Sequence, residues 1–132
     1  GGVAISLKDG DKERAKPLAE ALFEMGFSVY ATPTTAAQIG GKVKLLKKIS
    51  EGEPNILSEI KKGSIHLVFN TPKKGKVANT DGFRIRRACL ENGIPCLTNF
   101  EAAEALVGAM RHSFGKKLHV ERIDEYGSGV GY

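Results

Sequence analysis

"FSVYATPTTAAQIGG" (residues 27–41) is the stretch on which the reading of the whole chain turns. Phe27 to Ala31 form a short apolar run of strand length. At Thr32 the pattern changes to Thr-Pro-Thr-Thr and then a short amphipathic piece closed by Gly40 and Gly41, which are helix stop signals. A strand that runs directly into a short helix is one step of an alternating α/β chain, and it places three hydroxyls at the junction.

The same alternation extends in both directions. "GVAISL" (2–7) reads as a buried strand. "KDGDKERAKPLAEALFEMG" (8–26) has Leu18, Ala21, Leu22 and Met25 at helical spacing, with Asp9 or Asp11 as candidate caps. Pro17 removes a backbone donor, so the regular helix is expected to begin near Lys16 after an irregular turn. "KVKLLKKI" (42–49) alternates in part and reads as an outer strand. "PNILSEIKKG" (54–63) is a short amphipathic helix, and "IHLVFN" (65–70) is the clearest buried strand. "TPKKGKVANT" (71–80) is a polar loop. "DGFRIRRACLENG" (81–93) is helical, "IPCLT" (94–98) is a fifth strand, and "NFEAAEALVGAMRHSF" (99–114) is a helix capped by Asn99. "KLHVERI" (117–123) reads as an extra edge strand, and the glycine-rich residues from 125 to 132 read as a loose tail.

Five strand–helix alternations predict an α/β fold, with a mostly parallel sheet and helices on both faces. The domain is expected over residues 1–124, with 125–132 as its tail. At 132 residues the chain has the size of one domain. No apolar run reaches membrane-spanning length, and the opening "GGVAISLKDG" has no signal-peptide pattern. Cys89 and Cys96 complete no zinc pattern and read as reduced, buried thiols, so a cytoplasmic location is expected.

The net charge of +5 is spread over pairs such as Lys47-Lys48, Lys73-Lys74 and Arg86-Arg87. Spread positive charge suits a solvated surface or a small anion. A nucleic-acid reader would concentrate its charge and interleave exposed aromatics, and this chain has no tryptophan.

In parallel sheets ligands bind beyond the carboxyl ends of the strands, where the winding reverses. The residues that follow the strands here are Ser6, Lys8, Asp9 and Lys12; Thr32, Thr34 and Thr35; Lys48; Asn70, Thr71, Lys73 and Lys74; and Thr98 and Asn99. Hydroxyls, amides and ammonium groups dominate, which is an anion-accepting set. With Thr32 as N-cap and Pro33 at the first helical position, the amides of Thr34 and Thr35 face outward from a helix start and suit phosphate. The commoner role of such threonines is to cap their own helix, and from these residues alone both roles stand. Catalytic signals are thin. His66 lies within a strand, while His112 and His119 lie near the C-terminus. Ser6 lacks a Ser–His–Asp partnership, and Asp9 suits either a general base or a cap. Neither GxGxxG nor a Walker A pattern is present.

"KDGDKER", "SEGEPNI", "FNTP" and "IRRACLENGIP", in that order, give residues 2–124 a resemblance to the C-terminal allosteric domain of the carbamoyl phosphate synthase large subunit. That domain is part of the methylglyoxal-synthase-like superfamily. The resemblance implies a five-stranded parallel sheet in three layers, and a site for nucleotide monophosphates such as UMP, which inhibits, and IMP. It places Lys12, Thr32, Thr35 and Lys48 at the phosphate, with Thr34 in the same turn. Asn70 and its neighbour Thr71 face the base and ribose, and Thr98 sits at an ornithine-sensing junction. Two departures from the family pattern are Pro72, where a threonine is common, and Thr34, where glycine is common.

The resemblance further implies partners in the synthetic domains of the same subunit and in a small glutaminase subunit. It allows self-association, and it implies neither nucleic acid nor membrane as a partner. The parent ligase would use ATP with Mg or Mn to make carbamoyl phosphate for pyrimidine and arginine synthesis, while this domain would carry no cofactor, metal or catalytic residue. Methylglyoxal synthase shares the superfamily and the threonine turn. Its catalytic histidine corresponds to Ala78 and one of its aspartates to Thr71, although Asp9 and Asp81 match. A second aspartate falls near Glu53.

Overall fold

A strand at the centre of the sheet, β1 (Gly2–Ser6), organises the molecule. The computed structural model describes residues 1–71 and 81–126, with the backbone course alone for 117–126. After β1 come α1 (Ala15–Glu24), β2 (Ser28–Ala31), α2 (Pro33–Ile39), β3 (Lys44–Leu45), α3 (Ile56–Lys62), β4 (Leu67–Asn70), α4 (Asp81–Glu91), β5 (Cys96–Leu97) and α5 (Phe100–Tyr126). The strand order is β3-β2-β1-β4-β5 and every pairing is parallel.

Because side chains alternate across a strand, a sheet covered on both faces divides its apolar residues between two cores. Val3, Ile5, Val29, Ala31, Leu67 and Phe69 pack on one face with Leu18 and Leu22 of α1, Ile39 of α2 and Val107 of α5. Ala4 and Val68 point the other way and pack with Ile56 and Ile60 of α3 and Ile85 and Cys89 of α4. The result is the expected three-layer α/β arrangement. Phe69, Ile5 and Leu22 are among the largest fully buried side chains, each stabilising the fold by about 1.5–3 kcal/mol.

Local chemistry explains the element boundaries. A 3-10 turn over Asp9–Arg14 precedes α1, and Pro17 falls in the first turn of that helix, where its missing N–H has no intrahelical partner to lose. Asn55 and Ser58 form a reciprocal capping box at the start of α3. Gly63 ends α3 at φ 90° and ψ 11°, a left-handed geometry that favours glycine. Gly2 lets β1 lie close to the chain entering β4, since a Cβ there would collide with the Ser64 carbonyl oxygen.

Two expectations need correction. The outer strand read over 42–49 shrinks to Lys44–Leu45, because only these two residues lie in register with β2 and the chain beyond them turns to bridge Asn55 through Lys47. A short, lysine-flanked edge also resists pairing with other chains. The segment 117–123 is not an edge strand, because α5 continues through it to Tyr126. Lys116, Lys117, Leu118, Glu121 and Arg122 are good helix formers, and Gly115 within a helix costs only about 1 kcal/mol. Glu125 and Tyr126 therefore close α5, and the remainder of the expected tail, from Gly127 to Tyr132, lies outside the described residues. So do Pro72, Lys73, Lys74 and Ala78.

Candidate functional site

The winding reverses between β1 and β4. The chain leaves β1 toward β2 and β3, then returns to build β4 and β5 on the other side. The carboxyl ends of these central strands lie side by side, with Ser6 in register with Asn70. This is the crevice at which open parallel sheets bind ligands.

Two threonines tie the chain as it leaves β1. The Leu7 amide donates to Thr35 Oγ1 at 3.3 Å, and the Lys8 amide donates to Thr71 Oγ1 at 2.8 Å. The Thr71 amide in turn donates to the Ser6 carbonyl at 3.1 Å. Residues from β1, α2 and the end of β4 thereby meet at one point. Asn70 is only 4% exposed, and its Nδ2 has no hydrogen-bond partner among the described residues. A buried amide donor without an acceptor is costly and uncommon, and a site awaiting a ligand is one setting in which it persists.

The threonine turn answers the question its hydroxyls raise. Thr32 takes the N-cap position with extended backbone at φ −69° and ψ 159°, and Pro33 opens α2. The Thr32 carbonyl accepts from the Ala36 amide at 2.7 Å, but its side chain makes no capping bond. Thr32 is half-buried and Thr34 is exposed. Thr35 has 0% exposure, so an anion at this turn meets Thr32 and Thr34 first and reaches Thr35 only by displacing its neighbours. The bond to Leu7 leaves the Thr35 hydroxyl proton as a donor, since a hydroxyl accepts and donates independently.

The cations are less gathered than the hydroxyls. Lys12 Nζ lies 2.6 Å from Asp9 Oδ1, with the lysine side chain mostly covered, so an incoming anion must share or displace that carboxylate. Lys48 is exposed and follows β3, one strand out from β2. Thr98 is exposed beyond β5, at the opposite edge. Three interstrand steps of about 4.8 Å separate β5 from β2, so Thr98 stands apart from the threonine turn.

The remaining candidates have other partners. His66 Nδ1 accepts from the Gly2 amide at 3.1 Å, at the end of the sheet opposite the crevice. Neither Asp9 nor Asp11 caps the first turn: Lys8 takes that position, without a side-chain cap. The burial of Asp11, at 7% exposure beside the crevice, had no signal in the sequence. Among the described residues, no group of three His, Cys, Asp or Glu is placed to hold a metal, and no helix is long and apolar enough to cross a membrane. A hollow of about 760 Å³ lies along α3, lined by Glu53, Leu57, Glu59 and Lys62. It contains no strand-end residue and is open and mixed in lining, so the crevice is the better candidate on topology.

An MGS-like domain family model matches residues 14–98. The chain is 42% identical over 126 residues to the carbamoyl phosphate synthase large chain of Rhodopirellula baltica, covering 93% of this chain and 12% of that one. It is 41% identical over 113 residues to the C-terminal section of the corresponding large chain of Methanopyrus kandleri, and 41% over 129 residues to that of Methanocaldococcus jannaschii. These alignments cover 83% and 95% of this chain, and 21% of each relative. The chain thus spans about an eighth to a fifth of the length of these relatives. A crystal structure of methylglyoxal synthase from Elizabethkingia anophelis superposes with a TM-score of 0.64 at 19% identity, covering 80% of this chain and 76% of that one. At that identity the likeness is one of fold.

Proposed function

The chain belongs to the MGS-like domain family, and on that premise we propose that it is the effector-binding domain of a carbamoyl phosphate synthase large chain, taking a nucleoside monophosphate at the crevice. The observation that carries this reading is Asn70: a buried amide donor without a partner among the described residues, at the carboxyl end of β4 beside β1. A base or ribose oxygen would satisfy it. The phosphate dianion would sit at Thr32 and Thr34, with the start of α2 contributing partial positive charge and Thr35 Oγ1 reached on closure. Lys12 and Lys48 would supply full charges, Lys12 by exchanging its Asp9 partner for the ligand. Thr71 holds the Lys8 amide and so fixes the floor of the site.

The domain would transmit regulation by differential docking. An effector that favours one arrangement against the synthetic domains shifts their activity by its difference in affinity for the two arrangements. Thr98, on the far edge, is the candidate contact for an ornithine-sensing junction with a neighbouring domain. The glutaminase subunit and ATP with Mg or Mn belong to the parent assembly in this reading, whose setting is cytoplasmic pyrimidine and arginine synthesis. The domain itself would perform no chemistry. His66 is engaged at the opposite end of the sheet, and by the sequence resemblance Thr71 corresponds to a catalytic aspartate of methylglyoxal synthase.

Calorimetric titration with UMP and with IMP tests the proposal. Saturable heat with either nucleotide, lost on Asn70→Leu, is the expected result. Absence of heat with both at millimolar concentration overturns it. Release of methylglyoxal from dihydroxyacetone phosphate would replace it with a lyase.

A further inference from the structure

The 3-10 turn Asp9–Arg14 runs from the crevice to the start of α5. At its entry, the Leu7 and Lys8 amides are held by Thr35 and Thr71. In its middle, Lys12 is paired with Asp9. At its exit, Arg14 fastens to α5. Arg14 Nη2 donates to Glu104 Oε1 at 2.7 Å and Nη1 to Glu101 Oε1 at 3.4 Å. The guanidinium carbon lies 4.1 Å from the centre of the Phe100 ring, and Nη1 lies 3.9 Å from Asp11 Oδ1 within the turn. Phe100 is buried, so its ring is a fixed platform for the cation.

The turn is six residues long. Runs of that length are uncommon, because 3-10 hydrogen bonds are poorly aligned. It therefore keeps its place mainly through its ties to other elements. In the proposed function the phosphate takes Lys12 from Asp9 and reaches Thr35 behind the Leu7 amide, so it acts on the turn at entry and middle together. Arg14 stands two residues beyond Lys12, and its tie must follow that movement or yield.

We propose that nucleotide binding at the crevice loosens the Arg14 clamp on α5, and that the turn thereby couples the occupied site to the sheet edge at Thr98, two residues before Phe100. This deepens the nucleotide reading and rests on it. Arg14 is a positioning residue: it acts through the turn, by holding the turn in its unliganded place. Linkage makes the effect reciprocal, since a clamp that nucleotide loosens is a clamp that opposes nucleotide. Ion pairs at the surface and one cation–π contact set a small factor, about three- to tenfold in affinity.

A nitrogen-15 titration of the whole chain with UMP, joined to calorimetry, tests this. In the wild type, the Ala102 amide, which the Asn99 side chain caps at 2.9 Å, should shift and saturate along the same curve as Thr32 and Thr34. Arg14→Met keeps an aliphatic stem over Phe100 and removes the charge. In it the Ala102 shift should fall by at least half, while Thr32 still titrates and UMP binds about three- to tenfold more tightly. Glu101→Gln with Glu104→Gln cuts the same tie from the α5 side and should tighten binding alike. The control is Glu24→Gln, which breaks the separate pair of Glu24 with Arg111 between α1 and α5 and should leave affinity within about twofold. An unmoved Ala102 beside titrating Thr32 and Thr34, an Ala102 shift that survives in Arg14→Met, or an unchanged affinity in both clamp variants would overturn the coupling and leave the nucleotide site standing. Silence at Thr32 and Thr34 as well would overturn the nucleotide reading and the coupling with it.

Discussion

Replacing Thr35 by valine preserves the shape of a fully buried side chain and removes the one atom that the Leu7 amide uses. The Leu7 N–H would then be buried beside a methyl group. Loss of a hydrogen bond with a donor left unsatisfied costs about 1–3 kcal/mol, and the 3.3 Å length places this bond toward the lower half of that range. For a domain of this size the loss corresponds to a drop in Tm of roughly 3–10 °C. The exposed neighbour is the control: Thr34→Val should change stability by no more than about 0.5 kcal/mol. Urea unfolding followed by circular dichroism measures both variants, with unchanged m-values confirming that the unfolded state is not altered. If Thr35→Val proves as stable as Thr34→Val, the tie between β1 and α2 is not a structural bond and the account of the turn is wrong.

Asn70→Leu should leave the unliganded domain within about 1 kcal/mol of wild type, since removal of an unsatisfied amide costs little, yet weaken UMP binding at least tenfold; a thermal melt with and without nucleotide separates the two effects. Asn55→Ala removes the capping box of α3 together with the bond from Nδ2 to the Gly52 carbonyl, and should cost about 1–2 kcal/mol in urea unfolding. The Glu101 carboxyl is held below its ordinary range, first by its own backbone amide and then by Arg14. Because its folded value is depressed, its stabilising contribution is present above the unfolded value and disappears as pH falls through the folded one. Glu101→Gln should therefore flatten the acid side of the stability–pH profile and leave its alkaline side unchanged.

Much of the fold was legible because a sheet covered on both faces writes itself as short apolar runs, of which "GVAISL" and "IHLVFN" are examples, separated by stretches of helical spacing. Pro17 also gave the correct start of α1, through its missing donor. The course of 115–126 was misread because Gly115 suggests a stop, while Leu118 and Val120 alternate like a strand; helix propensity over the remaining residues prevailed. The extent of β3 depended on its place at the sheet edge, which only the assembled topology fixes.

In the site, strand-end position was enough to bring Ser6, Thr35, Asn70 and Thr71 together. It gave no sign that Thr35 would be covered, because the group it serves, the Leu7 amide, lies 28 residues away in sequence. Nor does any local pattern mark Asn70 as an amide with an unused donor. That property arises from what the neighbouring strands leave unpaired.

The side-chain amide of Asn70 reports on the site directly. In a nitrogen-15 correlation spectrum, UMP should shift the Asn70 Nδ2 resonance together with the backbone amides of Thr32 and Thr34, saturating along one curve. Unmoved signals at all three positions under millimolar nucleotide, or shifts confined to the hollow along α3, would contradict a nucleotide site at the reversal of the sheet.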